Sequence, residues 1–230
     1  PSVAGIGITT ITYTYSDQNG CSNSDSAQIV VYADTKTLNI QVLLEGLYLG
    51  GGLMNEARDE YNNPKWGIGT ADMVTIELHN QGNYSQVIYT VNNVPLSTTG
   101  NLTLTGSEGI PSLFNGSYYL TIRHRNSIET TSALPVSFAG NTISYAFDDP
   151  SKAYGFNLFA LPGGGYAIFG GDVSQDGLVD SSDMIQTDND VTAFVTGYVA
   201  TDVNGDGLVD SSDMILIDNN SSAFVSSILP

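Results

Sequence analysis

The 230 residues carry 24 aspartates and glutamates against 6 lysines and arginines, a formal charge of −18 at neutral pH. That balance argues against nucleic acid or an anionic membrane as partner, because both need cationic side chains to neutralise their phosphates. No apolar run is long enough to cross a bilayer, and the length leaves room for two domains or for one plus pieces.

Residues 1–34 read as the end of a domain. Thr9 to Tyr15 alternates β-branched and aromatic residues with a period of two, a strand signal; Asp17 to Gly20 is a turn, and Ala27 to Tyr32 is a second strand. Two strands bury no core of their own. The run from Pro1 to Gly7, then Ile11 to Tyr15, then Asn19 to Asn23, resembles the last hairpin of an immunoglobulin-like repeat of very large bacterial surface proteins. The resemblance implies that Cys21, the single cysteine, pairs with a cysteine on an earlier strand, and that the chain is the C-terminal piece of something longer. The other reading is an unpaired thiol in a hairpin that rests on another surface.

Residues 35–169 are expected to form one β-sandwich. Leu38 to Leu44, Met73 to His79, Gln86 to Val91, Asn101 to Thr105, Ser117 to Arg123, Leu134 to Phe138 and Thr142 to Phe147 alternate, separated by Gly, Asn and Pro turns. The order of a strand, a polar hairpin and then Phe114 to Ile122 resembles transthyretin-like or carboxypeptidase-regulatory sandwiches, a likeness that carries no chemistry. Gly50 to Gly69 is long for a connection and holds the only tryptophan, Trp66. It reads as a loop packing its aromatics back on the sandwich, with a sugar-stacking platform as the alternative. Arg123-His124-Arg125 is a basic island, either a solvated strand end or a dock for an acidic surface such as the chain's own tail. His79 and His124 fall on different strands and read as structural. Gly163 to Gly165 is a hairpin tip whose closing strand, Tyr166 to Phe169, should hold the tail fixed against the sandwich.

Residues 170–230 repeat one pattern at an offset of 30 residues. The first copy runs from Asp172 to Asp183 and the second from Asp202 to Asp213. Calcium is a hard cation that takes about six to eight oxygens, and a loop of about twelve residues can wrap it with ligands at its first, third, fifth, seventh, ninth and twelfth places. In the first loop these are Asp172, Ser174, Asp176, the Leu178 carbonyl, Asp180 and Asp183; in the second they are Asp202, Asn204, Asp206, the Leu208 carbonyl, Asp210 and Asp213. Gly177 and Gly207 take the sharp turn at the sixth place. Val209, at the eighth, is expected to tie the two loops together. The last ligand is Asp and not Glu, so the following helix must sit closer to the ion or offer one oxygen. Ser174 is a weaker ligand than Asn204, which makes the first site the looser one. Two Ca²⁺ ions are the expected cofactors, with metal binding coupled to folding because the clustered carboxylates repel without it. The Asp and Asn residues of Thr187-Asp188-Asn189-Asp190 and Ile217-Asp218-Asn219-Asn220 read as N-caps of a second short helix in each repeat, carrying Ala-Phe-Val, with ion contact by Asp188 and Asp218 as the alternative.

The pair of loops resembles a dockerin, a tandem of calcium loops with Asp at the twelfth place. The fold expected overall is mainly β: an immunoglobulin-like hairpin plus β-sandwich, followed by a small α-helical dockerin-like calcium-binding module. The arrangement also resembles the C-terminal region of proteins exported by the type IX secretion route. That implies a secreted or cell-surface location, consistent with the millimolar calcium such loops need, and a role in export, attachment or adhesion. No nucleophile elbow, phosphate loop or zinc motif is present, so the chain reads as non-catalytic. Its expected partner is a protein of the cell surface or secretion machinery. The alternatives are a dockerin-type plug, a glycan-binding module using the Trp66 loop, or a filament subunit whose hairpin is completed by a neighbouring chain.

Overall fold

The computed structural model describes residues 7–31 and 34–230. Pro1 to Ile6 of the immunoglobulin-like stretch, and Tyr32 at the end of its second strand, lie outside the described residues. The fold is mainly β. The first hairpin pairs β1 (Gly7–Ser16) antiparallel with β2 (Ser22–Val31), and Ile11 stands opposite Ala27, Tyr13 opposite Asp25. Ile11, Tyr13 and Tyr15 are exposed. The turn closes through Asp17, whose Oδ1 accepts from the amides of Asn19 and Cys21, both at 2.9 Å.

Two sheets then face each other. β3 (Thr35–Gln41) is followed by the short pair β4 (Tyr48–Gly50) and β5 (Leu53–Met54), then β6 (Thr70–Asn80), β7 (Asn83–Ser97), β8 (Asn101–Leu104) and β9 (Ile110–Pro111). After these come β10 (Ser117–His124), β11 (Ser127–Thr131), β12 (Val136–Ser137), β13 (Thr142–Ala146), β14 (Phe159–Ala160) and β15 (Tyr166–Ala167). One sheet runs β11-β10-β6-β7 with β12 beside β10; the other runs β13-β3-β8 with β9 beside β3. Alternation decides the inner faces: Val74, Ile76, Leu78, Leu120 and Ile122 from the first sheet meet Leu38, Ile40, Leu102, Leu104 and Ile143 from the second. The glycine tip bends β14 back onto β15 as expected, with Gly163, Gly164 and Gly165 all at positive φ.

The tail adds two helices, α1 (Ser181–Thr192) and α2 (Ser211–Ser222). The expected second short helix in each repeat is absent from the described residues. Each helix runs straight through its Asp-Asn pair and ends at Ala193 or Ala223, whose amides close on Asn189 and Asn219. The Asn220 side chain, free of any capping role, donates to Glu45 Oε2 at 2.7 Å and to the Gly170 carbonyl at 2.9 Å. Phe194 and Phe224 then sit in left-handed backbone, at φ 54° and 56°, where a helix usually ends on glycine.

The tail shares the sandwich's core. Val173, Val179, Val203, Ile217 and Val225 belong to the same buried cluster as Leu44, Leu47 and Ile168. Polar contacts fix the orientation. Glu45 Oε2 accepts from the Gly170 amide at 2.9 Å, Arg58 N donates to the Gly205 carbonyl at 3.1 Å, and Asn126 Nδ2 donates to the carbonyls of Ala200 and Asp202 at 3.0 and 3.1 Å. The long Gly50 to Gly69 connection is a shaped cradle for the second loop. A Cβ on Gly207 would stand 3.1 Å from Asp59 O, and one on Gly197 would stand 2.9 Å from Glu60 N.

Candidate metal centres in the tail

Each loop builds its own scaffold from aspartates and backbone amides. In the first, Asp172 accepts from the amides of Asp176 (3.2 Å) and Gly177 (3.1 Å), and Asp183 reaches across to the Ser174 amide (2.8 Å). In the second, Asp202 accepts from Gly205 (3.0 Å) and Gly207 (3.2 Å), while Asp213 accepts from Val203 (2.8 Å) and Asn204 (3.0 Å). Asp176 and Asp206 make matching turns onto Leu178 and Leu208, each at 2.9 Å. The ninth and twelfth places double as a capping box: Asp180 and Asp210 cap their helices, and Asp183 and Asp213 return a bond to the cap amide. The short Asp arm at the twelfth place thereby starts the helix inside the loop.

Burial gathers the loop carboxylates away from cationic side chains. Asp172, Asp183, Asp202 and Asp213 are buried, and no ion pair among the described residues involves a loop carboxylate. Burial pushes Asp172 up to about 6, and the charges of Asp183 and Asp176 add to it. Burial likewise pushes Asp202 up to about 7 against the opposing pull of Arg125, with Asp213 and Asp206 reinforcing the rise. Asp213 is raised for the same first reason. Ser174 Oγ is buried with no hydrogen-bond partner, as are Ser182 Oγ and Ser227 Oγ beyond the ligand places. The donor set is all oxygen, as a hard cation requires. Among the described residues, however, the one trio of metal-ligating side chains with all ligand atoms within 4.8 Å is Glu77, His79 and Glu129. The loop carboxylates are spread over their amides instead.

The loops do not tie to each other through the eighth place. Val179 N donates to Val225 O at 2.9 Å, and Val209 N donates to Val195 O at 3.2 Å. Each loop is therefore bridged to the segment that follows the opposite helix, Leu178 beside Ser226 and Leu208 beside Thr196. The Ala-Phe-Val segments supply these partner strands, which is why they cannot be helical. The fourth place also went unread: Gln175 has φ 60° and Gly205 φ 75°. A Cβ on Gly205 would stand 2.4 Å from Leu47 Cδ2, so the second loop has glycine where the sandwich presses on it. Gln175 instead spends its amide on the Asp172 and Ser127 carbonyls, at 2.6 and 3.3 Å.

The basic island and the tryptophan meet at Asp72, fully buried at the sandwich–tail junction. Its Oδ1 accepts from Trp66 Nε1 (3.1 Å), Tyr198 Oη (2.7 Å) and its neighbour's amide (2.7 Å); its Oδ2 lies 3.0 Å from both His124 Nε2 and Arg125 Nε. Arg125 also donates to the Val199 carbonyl and stacks its guanidinium 4.6 Å over the Tyr198 ring. Trp66 meets Tyr198 edge-on at 5.4 Å. Trp66 is thus tied to Asp72 and Tyr198 yet stays 37 % exposed, and Tyr61 is 77 % exposed. His79 and His124 do not share a ligand: His124 serves Asp72, and His79 faces Glu77.

The chain matches no protein-family model and no curated protein.

Proposed function

We propose that the chain is a non-catalytic, calcium-stabilised structural and targeting region of a secreted cell-surface protein, serving export, surface attachment or adhesion. The observation that carries this reading is the repeated loop. In each copy two carboxylates are buried without a cationic partner, at the spacing calcium chelation uses, and the last of them opens a helix. Two Ca²⁺ ions would supply the charge, held by Asp172, Ser174, Asp176, Asp180, Asp183 and the Leu178 carbonyl, and by Asp202, Asn204, Asp206, Asp210, Asp213 and the Leu208 carbonyl. One continuous helix per loop supports the dockerin-like reading of residues 170–230, and the exposed hairpin of β1 and β2 supports the immunoglobulin-like one. Calcium outside the cell would set the tail only after export, the logic implied by the type IX resemblance.

A second reading, a plug for a protein partner, is favoured by a repeated apolar surface. Ile185 and Ile215 are exposed alike, as are Phe194 at 87 % and Phe224 at 89 %. Calorimetric titration of chelator-stripped chain should register two calcium ions; fewer than one would overturn the metal reading. A pull-down from the native cell surface, comparing the chain with Phe194→Ser/Phe224→Ser, separates the two functions. Loss of one discrete partner favours the plug, and unchanged retention at the surface favours anchoring elsewhere. Deleting residues 170–230 is a poor test of export, because it would also strip Val173, Val203 and Ile217 from the core.

A further inference from the structure

Glu77 and His79 lie two residues apart on β6, so both point to the outer face of the five-stranded sheet. Glu129 reaches the same place from β11, and the ligand atoms of all three lie within 4.8 Å of one another. None of them has a role in the calcium loops. His79 is 3 % exposed, and its orientation is fixed. Nδ1 lies 2.7 Å from the Tyr84 carbonyl, which can only accept, so Nδ1 carries the proton. The ring also stacks on Tyr84 at 4.2 Å. In the neutral ring Nε2 is then a lone pair, 3.0 Å from Glu77 Oε2, itself an acceptor; a doubly protonated ring would donate there instead. With the ring neutral, two acceptors face each other with Glu129 beside them, an arrangement that a shared cation completes. An imidazole whose other nitrogen is bonded to a carbonyl is how proteins present histidine to a metal.

We propose that Glu77, His79 and Glu129 form a site for a borderline divalent transition ion such as Zn²⁺, distinct from the calcium loops. A nitrogen ligand and only two carboxylates suit zinc and not calcium, which wants more oxygens. Tyr84 Oη, 2.5 Å from Glu129 Oε1, steadies the third ligand. Arg123 is the internal cation that holds the place, with Nε 2.9 Å from Glu77 Oε2 and Nη2 2.7 Å from Glu129 Oε2. Its side chain is 40 % exposed while the carboxylates that it bridges are 13 % and 12 % exposed, so a metal ion must displace a paired guanidinium. It also has room to leave, since it lines a cleft of about 440 Å³ toward Trp66 and another of about 290 Å³ toward the first loop.

The test is zinc titration of the full chain already saturated with calcium, with metal content measured after dialysis. One retained zinc is expected. Its affinity should rise about tenfold or more in Arg123→Ala and fall about 100-fold in His79→Gln, the scale on which metal-site partners act. Cobalt in place of zinc should give visible bands that vanish with His79→Gln. If that variant fails to fold, Glu129→Gln keeps the shape at the rim and should lose most of the affinity. No retained zinc, or equal affinity in the folded Glu129→Gln chain, overturns the site. So does an imidazole nitrogen spectrum with a proton on both His79 nitrogens that zinc leaves unchanged.

Discussion

At the scale of single residues, Phe194 and Phe224 depart from sequence rules, as Phe156 does: all three are exposed phenylalanines in left-handed backbone. That conformation costs an L-residue roughly 1–2 kcal/mol, and little packing returns it. Phe224→Gly should therefore raise stability by about 0.5–1 kcal/mol after the entropy of the added glycine is counted, read as an increase in the urea midpoint at constant slope. A fall in the midpoint would mean that the ring is held by contacts of its own. Asp72 is the opposite case. Burial alone would raise its pKa, but the His124 bond, the Arg125 charge and Tyr198 hold it well below the usual carboxylate range. A lowered folded pKa gives stability that is fully present above the unfolded value of about 3.9 and is lost as pH falls through the folded one. Asp72→Asn should cost about 3–5 kcal/mol at neutral pH, the scale for breaking a buried ion pair. It should also flatten the acid limb of the stability curve below about pH 4. An unchanged acid limb would remove Asp72 as its source.

At the scale of elements, what the sequence made legible was repetition and alternation. β3, β6, β7, β8, β10, β12 and β13 appear where period-two runs predict them, and the Gly177 and Gly207 turns sit at the expected place, φ 87° and 85°. Four things stayed hidden. β11, Ser127–Thr131, is buried on both faces and has no alternating pattern. The Asp and Asn residues of 187–190 and 217–220 look like caps locally, yet tertiary bonds take two of them: Asp190 accepts from Thr201 Oγ1 at 2.6 Å and Asn220 is spent on Glu45. The cross-bridges of Val179 to Val225 and Val209 to Val195 depend on how two repeats fold together, which one repeat cannot reveal. Nor does spacing show that Gly46 is the contact point between sandwich and second loop. A Cβ there would stand 2.3 Å from the Val203 carbonyl oxygen, a backbone atom that cannot turn aside. Gly46→Ala should cost about 1–3 kcal/mol by overpacking and should weaken calcium binding at the proposed second site more than at the first. Equal loss at both sites would show that the cradle does not shape the loop it touches.

At the scale of the molecule, the continuous core decides how calcium should act. Were the tail on a free tether, removing the ions would melt it alone and leave the sandwich's transition in place. Instead Leu44, Leu47 and Ile168 share a cluster with Val173, Val203 and Ile217, and Asp72 binds Trp66 and Tyr198 to one carboxylate. Chelation should therefore lower the melting temperature of the sandwich and tail as one transition. At a hundredfold excess of free calcium over its dissociation constant, each ion contributes about 2.7 kcal/mol. For a body of this size that is roughly 5–10 °C per ion. Trp66 is the only tryptophan and lies against Tyr198, in the link between the loops, so its fluorescence should follow the same curve as circular dichroism of the strands. Two separate transitions, with Trp66 reporting the lower one and the strands the higher, would mean that the shared core does not couple the loops to the sheets. A calcium-independent curve in both signals would dismiss the ions as the source of the tail's shape.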